Sequence, residues 1–131
     1  MKDRTITDFL KAHRTVVVAA GKASATMASA FVSTFGMPSR GLIACPQSGV
    51  SVNGLECFEV GHPVPTAESV AAGRRALELA REISNDDVLV VLLSGGASAG
   101  LVVPVDGVSL EDKAAATRAL LESGVAIDGL N

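Results

Sequence analysis

The sequence contains no tryptophan and no tyrosine, and its four aromatic residues are all phenylalanine. It also lacks any apolar run long enough to cross a bilayer. No apolar segment of the kind found in signal peptides follows its first polar residues. We therefore expect a soluble, cytoplasmic protein that does not bind membranes.

Charged residues form no basic patch, and the net charge is −3. Because nucleic-acid-binding domains carry clustered Lys and Arg, we expect no nucleic-acid partner. The two cysteines, Cys45 and Cys57, lie in or beside apolar segments without CxxC spacing. This pattern predicts buried free thiols and no metal site.

The apolar residues, 48% of the chain, indicate a core of Ala, Val, Leu and Ile, which suits close packing of helices on a sheet. Residues 88–93 are six consecutive Val and Leu residues, which is typical of a central parallel strand covered on both faces. Residues 15–20 predict a second strand of this kind. One α/β domain with a mostly parallel sheet follows from this pattern.

A loop rich in small residues follows the strand over residues 88–93: Ser94-Gly95-Gly96-Ala97-Ser98. Open α/β sheets bind ligands at the carboxyl ends of their strands, and glycines let backbone N–H groups turn toward a common anion. The loop is equally compatible with a tight turn that binds nothing. Both interpretations stay open on the loop alone.

Lys22 follows Gly21 at the end of the strand over residues 15–20 and precedes a helix that should end at Gly36. Lysine at a helix amino terminus is mildly unfavourable unless an anion shares the space. Lys22 therefore meets a bound phosphate or carboxylate, or it extends into water. The second alternative is the simpler one without other information.

Two familiar phosphate motifs are absent from this turn. A P-loop would need glycine where Val16 stands, and a dinucleotide-binding fingerprint would need two more glycines after Gly21. The sequence therefore supports neither a Walker ATPase nor a standard NAD-binding unit.

His62 stands in the rigid connector Gly61-His62-Pro63-Val64-Pro65. The stiff backbone favours a fixed side chain, although a lone histidine in a Pro-rich turn is more often structural than catalytic. Thr66 is predicted to cap the next helix. Ser109 and Asp112 are predicted to form a capping box at the start of the last one.

Five of these segments occur in the order and approximate spacing seen in the ATP-dependent glycerate 2-kinases, the class II glycerate kinases, whose members are often labelled hydroxypyruvate reductases. They are Gly21-Lys22-Ala23, the 61–65 connector, the 93–99 loop, Pro104 and Leu120-Leu121-Glu122-Ser123-Gly124. The chain resembles the amino-terminal domain of that family from Thr15 to its last residue. Residues 1–14 would be a lead-in, and residues 15–131 a partial domain.

The resemblance implies a three-layer, Rossmann-like domain and transfer of phosphate from ATP to the 2-hydroxyl of D-glycerate, with Mg²⁺. It places Lys22 in the catalytic role. Gly21, Ser94, Gly95, Gly96, Ser98 and His62 would bind substrate or phosphate. The partners would be a small hydroxy acid and a nucleotide.

The chain departs from the family pattern at three positions and in length. Ala97 stands where the family usually has a third glycine, Gly100 where it has leucine, and Thr66 where it has aspartate. The family also continues well past Asn131, so we expect a truncated domain that is weakly active or inactive alone. It would associate with itself or with a missing carboxyl-terminal domain. Two other functions stay open, a non-catalytic anion-binding or assembly module and, ranked last, an NAD(P)H-dependent hydroxypyruvate reductase.

Overall fold

The computed structural model describes residues 5–124. Helices and strands alternate along most of this part of the chain: α1 (Ile6–Ala12), β1 (Arg14–Ala20), α2 (Ser24–Phe35), β2 (Arg40–Cys45), β3 (Glu56–Glu59), α3 (Ala67–Arg81), β4 (Asp87–Leu93), α4 (Ala97–Gly100) and α5 (Leu110–Glu122). The strands form one sheet in the order β3-β2-β1-β4, and every neighbouring pair is parallel. This arrangement confirms the predicted α/β class.

Helices cover the sheet from both sides. On one face Ala28 of α2 packs with Ala19 and Ile43. On the other face Ala72 and Leu79 of α3 pack over β1 and β2. Small side chains on the helices let them approach the strands closely, so the domain has the expected three layers.

β1 is one of the two inner strands, and its six residues 15–20 are buried, as the unbroken β-branched run predicted. The strand begins one residue earlier, at Arg14. Its neighbour β2 is buried from Gly41 to Cys45. The two strands together carry most of the core.

The prediction that β4 is a central strand covered on both faces is wrong for the described part of the chain. β4 lies at the edge of the sheet beside β1. Leu89, Val91 and Leu93 are 39%, 49% and 61% exposed on the face that α3 covers elsewhere. Because α3 lies mainly over β2 and β3 and touches β1 only through the shared core, it leaves this edge uncovered.

The helix caps predicted at Thr66 and Ser109 are confirmed. The α5 capping box forms as predicted, since Ser109 Oγ accepts from the Asp112 N–H at 3.0 Å and the Asp112 carboxylate accepts from the Ser109 N–H. Thr66 is the N-cap of α3. The lead-in helix α1 is capped by Thr5, because the Thr5 hydroxyl accepts from the Asp8 N–H.

The cysteines differ from each other. Cys45 is buried, as predicted, but Cys57 on the edge strand β3 is exposed, so the prediction of two buried thiols was wrong for Cys57. Desolvation raises the pKa of the Cys45 thiol. Because the thiolate is the reactive form, Cys45 is a poor nucleophile and belongs to the core.

No helix within residues 5–124 combines the length and the apolar character needed to cross a bilayer. The short apolar stretch after Gly124, which the sequence suggests begins another element, lies outside the described residues.

An ion pair joins β1 to β4 at the amino end of the sheet. Arg14 donates from Nε and Nη2 to the two carboxylate oxygens of Asp87, at 2.7 and 2.9 Å. The Ser84 N–H and hydroxyl also donate to that carboxylate. The bond from Arg14, followed by those from Ser84, holds the pKa of Asp87 well below its usual value.

We expect this pair to make folding sensitive to acid. Since the pKa of Asp87 is lowered in the folded state, the pair's contribution to folding stability is fully present above the unfolded pKa of about 3.9. This contribution is lost as the pH falls from that value toward the lower pKa of the folded state. Urea unfolding from pH 7 down to about pH 2 should show the stability gap between the wild type and Asp87→Asn shrinking. Asp106→Asn, which removes an exposed carboxylate of the turn before α5, should show no such convergence.

Candidate functional site

The turn after β1 and the loop after β4 lie against each other at the carboxyl end of the sheet. The Lys22 N–H donates to the Gly95 carbonyl at 3.0 Å, and the Ala23 N–H donates to Ser94 Oγ at 3.0 Å. The Ser94 N–H in turn donates to the Ala20 carbonyl. The two loops that the sequence singled out independently therefore form one structure.

Gly21 allows this close approach. It has a φ of +109°, and a Cβ built there would lie 2.5 Å from the Ser94 carbonyl oxygen and overlap the Ser94 hydroxyl. Its own N–H donates to the Ala44 carbonyl of β2. A side chain at position 21 would separate the two loops, so glycine is required both for backbone conformation and for space.

The Lys22 side chain is exposed at this junction while its backbone is fixed. Within residues 5–124, no carboxylate forms an ion pair with its ammonium group. An unpaired lysine beside a bonded turn can receive an anion at little structural cost. This is the geometry that the anion-binding interpretation of Lys22 requires.

Two backbone donors of the β4 loop are uncommitted. In the described part of the chain neither the Gly95 N–H nor the Gly96 N–H donates to a protein acceptor. Gly96 has a φ of +87°, which lets successive N–H groups converge as they do in an anion-binding nest. These two amides and the Lys22 ammonium are donors that an anion at the carboxyl end of the sheet could use.

His62 lies against the same loop. A Cβ built on Gly96 would lie 2.7 Å from His62 Nε2, so the imidazole covers the Cα of this glycine. The connector over residues 61–65 is fixed to the start of α3, because the Gly61 N–H donates to Thr66 Oγ1 at 3.1 Å and to Ser69 Oγ at 3.2 Å. The exposed ring of His62 is thus positioned at the edge of the nest.

Two residues predicted to bind substrate or phosphate, Ser94 and Ser98, are less favourably placed to do so. The Ser94 hydroxyl accepts from Ala23 and lies 3.4 Å from the Ala20 carbonyl, so it joins the two loops. Ser98 is exposed on α4 and lines a cavity of about 610 Å³ that also involves the 101–108 segment and α5. Lys22, Gly21, Gly95, Gly96 and His62 come together, while Ser98 faces a separate and largely apolar space.

Sequence reasoning missed Gln47, which follows β2. Its Nε2 donates to the Lys22 carbonyl at 2.8 Å. The backbone of Lys22 is therefore held on one side by Gly95 and on the other by Gln47. No local pattern signals this role, because the two partners are 25 positions apart and the loop is simply polar.

We expect Gln47→Ala to cost about 0.5–1.5 kcal/mol of unfolding free energy, the usual net value of one hydrogen bond. It should also weaken anion binding severalfold, since Lys22 would lose one of its two backbone anchors. Urea denaturation and calorimetric titration with 2-phosphoglycerate measure the two effects. Gln47→Glu keeps the shape but cannot donate, so wild-type behaviour of both variants would contradict the role assigned to Gln47.

The described residues do not provide a metal centre. Within residues 5–124, no group of three His, Cys, Asp or Glu side chains is arranged to hold an ion. The Mg²⁺ implied by the family resemblance therefore has no evident ligand set in this part of the chain. The donors present at the site are cationic and neutral, and they suit an anion.

Comparisons with known proteins identify the family of the chain. Residues 1–131 match the family described as a domain of unknown function, DUF4147. The D-glycerate 2-kinase of Thermotoga maritima is 38% identical over 125 residues, which cover 93% of this chain and 30% of that protein. An Agrobacterium vitis protein provisionally named hydroxypyruvate reductase is 38% identical over 90% of this chain and 31% of its own length.

A solved structure shows the same fold. The crystal structure of a glycerate kinase from Thermotoga maritima superposes with a TM-score of 0.78 at 34% sequence identity. The superposed region covers 95% of this chain and 32% of the chain in that structure. The chain thus spans about a third of the length of the relatives that it matches.

Proposed function

The chain belongs to the DUF4147 family, the amino-terminal domain of class II glycerate kinases, and from this membership we propose that it forms one side of the substrate-binding cleft of an ATP-dependent D-glycerate 2-kinase. The proposed reaction transfers the terminal phosphate of ATP to the 2-hydroxyl of D-glycerate. The products are 2-phosphoglycerate and ADP.

One observation carries the proposal: the exposed Lys22 ammonium and the uncommitted Gly95 and Gly96 amides lie at one edge of the sheet. The hydrogen bond from the Lys22 N–H to the Gly95 carbonyl holds the backbones of the two segments together. Both the substrate carboxylate and the transferring phosphate are anions. A lysine beside two amides is suited to either of them.

The proposed reaction requires only binding and charge-neutralising groups on this side of the cleft. Phosphoryl transfer depends mainly on positioning and on neutralising the charge of the transferring group, and it requires no covalent nucleophile. Lys22 would compensate negative charge, the two amides would orient the anion, and His62, which lies against Gly96, would contact the substrate. Mg²⁺, when bound with ATP, supplies further charge neutralisation, and no step above depends on it.

The rest of the catalytic cleft is proposed to come from polypeptide corresponding to the two thirds of the relatives that this chain does not match. A chimaera tests this division. In the Thermotoga maritima enzyme, the matched segment would be replaced by this chain, and the product would be followed by ³¹P NMR with D-glycerate and ATP. We expect 2-phosphoglycerate from the chimaera and little or none from the chain alone.

Circular dichroism and a cooperative unfolding transition would verify that the chimaera is folded. A folded chimaera that forms neither 2- nor 3-phosphoglycerate would contradict the proposal. Formation of 3-phosphoglycerate alone would retain the kinase assignment and refute the position of attack.

The reductase alternative has one observation in its favour, the provisional name of the Agrobacterium vitis relatives. The hydrogen bonding of three N–H groups at the β1–α2 turn counts against the reductase alternative. The N–H groups of Lys22, Ala23 and Ser24 already donate to Gly95, Ser94 and Gly21, so the turn offers none of them to a dinucleotide pyrophosphate. Oxidation of NADH by the chimaera with hydroxypyruvate would reverse this ranking.

A non-catalytic anion-binding module remains the second alternative, and the exposed site on this chain is compatible with it. The same chimaera separates the two. Binding of D-glycerate without turnover in a folded chimaera would favour the module.

A further inference from the structure

Ser24, the first residue of α2, has a completely buried side chain. The other two buried residues of this helix, Ala28 and Phe31, are apolar. A buried hydroxyl is unfavourable unless it is hydrogen-bonded, and alanine is the better residue for a helical position. The contacts of the Ser24 hydroxyl therefore indicate what it contributes.

The Ser24 hydroxyl donates to the turn that precedes Lys22. Its Oγ lies 2.7 Å from the Gly21 carbonyl oxygen and 3.2 Å from the Ala44 carbonyl oxygen of β2. The Ser24 N–H donates to the Gly21 carbonyl as well, at 3.1 Å, and the Gly21 N–H donates to Ala44. The bond from the hydroxyl to Gly21 is the shorter of the two and the one that a substitution can remove.

Helix capping does not explain this hydroxyl. A capping side chain stands at the N-cap and accepts from an N–H of the first turn. The N-cap of α2 is Ala23, whose side chain has no acceptor. Ser24 lies one position later, and its hydroxyl donates to a carbonyl that precedes the helix. Its effect is therefore on the turn and not on the free N–H groups of α2.

The Gly21 carbonyl belongs to the peptide group that joins Gly21 to Lys22. Its oxygen accepts from the Ser24 hydroxyl, and the N–H of the same group, that of Lys22, donates to the Gly95 carbonyl at 3.0 Å. Because a peptide group is planar, holding its oxygen and its N–H fixes its orientation. Ser24 and Gly95 together orient the peptide group before Lys22.

The peptide group after Lys22 is held at both ends as well. Its oxygen accepts from Gln47 Nε2 at 2.8 Å, and its N–H, that of Ala23, donates to Ser94 Oγ at 3.0 Å. Two oriented peptide groups determine the direction in which the side chain leaves the Cα between them. The exposed Lys22 side chain thus starts from a fixed direction, and Ser24 is the buried member of the four groups that set it.

We propose that Ser24 is a positioning residue for Lys22, whose ammonium group it directs toward the bound anion by orienting the peptide group before it. This inference rests on the anion-binding role proposed above for Lys22. The Ser24 side chain is 0% exposed, so an anion at the site does not reach it. It acts only through the backbone of Lys22.

Amide hydrogen exchange of the free chain tests whether Ser24 fixes this backbone. In Ser24→Ala the protection of the Lys22 N–H should fall roughly 3- to 10-fold, which corresponds to the loss of one hydrogen bond. The N–H of Val17, buried within β1, reports the change in overall stability and should be affected less. Protection of Lys22 that falls no more than that of Val17 would overturn the proposal.

Ala28→Gly is the matched control for destabilisation of α2. Ala28 lies one turn after Ser24 on the same buried face, and glycine within a helix is destabilising. This variant should lower the urea midpoint without a selective loss of protection at Lys22. It should bind 2-phosphoglycerate with the affinity of the wild type.

Titration calorimetry with 2-phosphoglycerate tests whether Ser24 acts through Lys22. Ser24→Ala should weaken binding roughly 3- to 10-fold. Adding Ser24→Ala to Lys22→Ala should change the affinity by less than about twofold, whereas independent effects would add. Additive losses, an unchanged affinity in Ser24→Ala, or no binding by the wild-type chain would each overturn the inference. A folded chimaera that binds 2-phosphoglycerate but does not form it would refute the kinase proposal alone.

Discussion

Replacing Lys22 with alanine is expected to weaken the binding of 2-phosphoglycerate to this chain about 10- to 100-fold. A hydrogen bond to a charged group contributes about 1.5–3 kcal/mol, and each 1.4 kcal/mol changes affinity tenfold. The side chain is exposed and makes no ion pair with a described carboxylate, so its removal should leave the unfolding free energy nearly unchanged. Isothermal titration calorimetry at low ionic strength measures the affinity directly.

A matched variant separates a specific contact from a change in overall charge. Lys11→Ala removes the same charge from α1, which precedes the amino end of β1. Its affinity for 2-phosphoglycerate should stay within about twofold of the wild type, since distant exposed charges are screened by salt. Equal losses in both variants would show that Lys22 acts only through net charge.

The second large effect is expected at Gly21. Gly21→Ala introduces a Cβ that overlaps the Ser94 hydroxyl and lies 2.5 Å from the Ser94 carbonyl oxygen, at a φ of +109°. Backbone strain costs about 1–2 kcal/mol and overpacking about 1–3 kcal/mol more. We expect a loss of about 3 kcal/mol or more in urea unfolding, together with loss of anion binding as the loops separate.

Gly107→Ala isolates the backbone contribution. Gly107 has a φ of +85° and nothing within 4 Å of a built Cβ, so its substitution should cost only about 1–2 kcal/mol. It should leave anion binding intact. If Gly21→Ala were no more destabilising than Gly107→Ala, the contact between the β1 turn and the β4 loop would not be as close as the structure shows.

Much of the fold could be predicted because its signals are local. The β-branched run over residues 15–20 predicted a buried strand, and Ser109 with Asp112 predicted a helix start, since both patterns act within a few residues. The apolar run over residues 88–93 predicted a strand, but among residues 5–124 that strand lies at an edge of the sheet. Apolar composition shows that a strand has partners, but whether it is central depends on the order of strands, which the run does not encode.

The site divides in the same way. The sequence singled out Gly21, Lys22, Gly95 and Gly96 as candidates because glycine and lysine directly after a strand have local consequences, and the structure brings their backbones together. The role of Ser94 in joining two loops, the donation from Gln47 and the position of His62 over Gly96 were not, since each depends on strands that are distant in sequence meeting at one edge. Ser98 was predicted on family resemblance, and its helical position turns it toward another cavity.

The central claim is that an anion binds at the junction of the β1 turn and the β4 loop. A ¹⁵N–¹H correlation spectrum of the labelled chain, titrated with 2-phosphoglycerate, tests it residue by residue. The account predicts saturable shifts concentrated at the amides of Gly95, Gly96 and Lys22, and their loss in Lys22→Ala. Saturable shifts elsewhere in the chain, with these three amides unmoved, would contradict it.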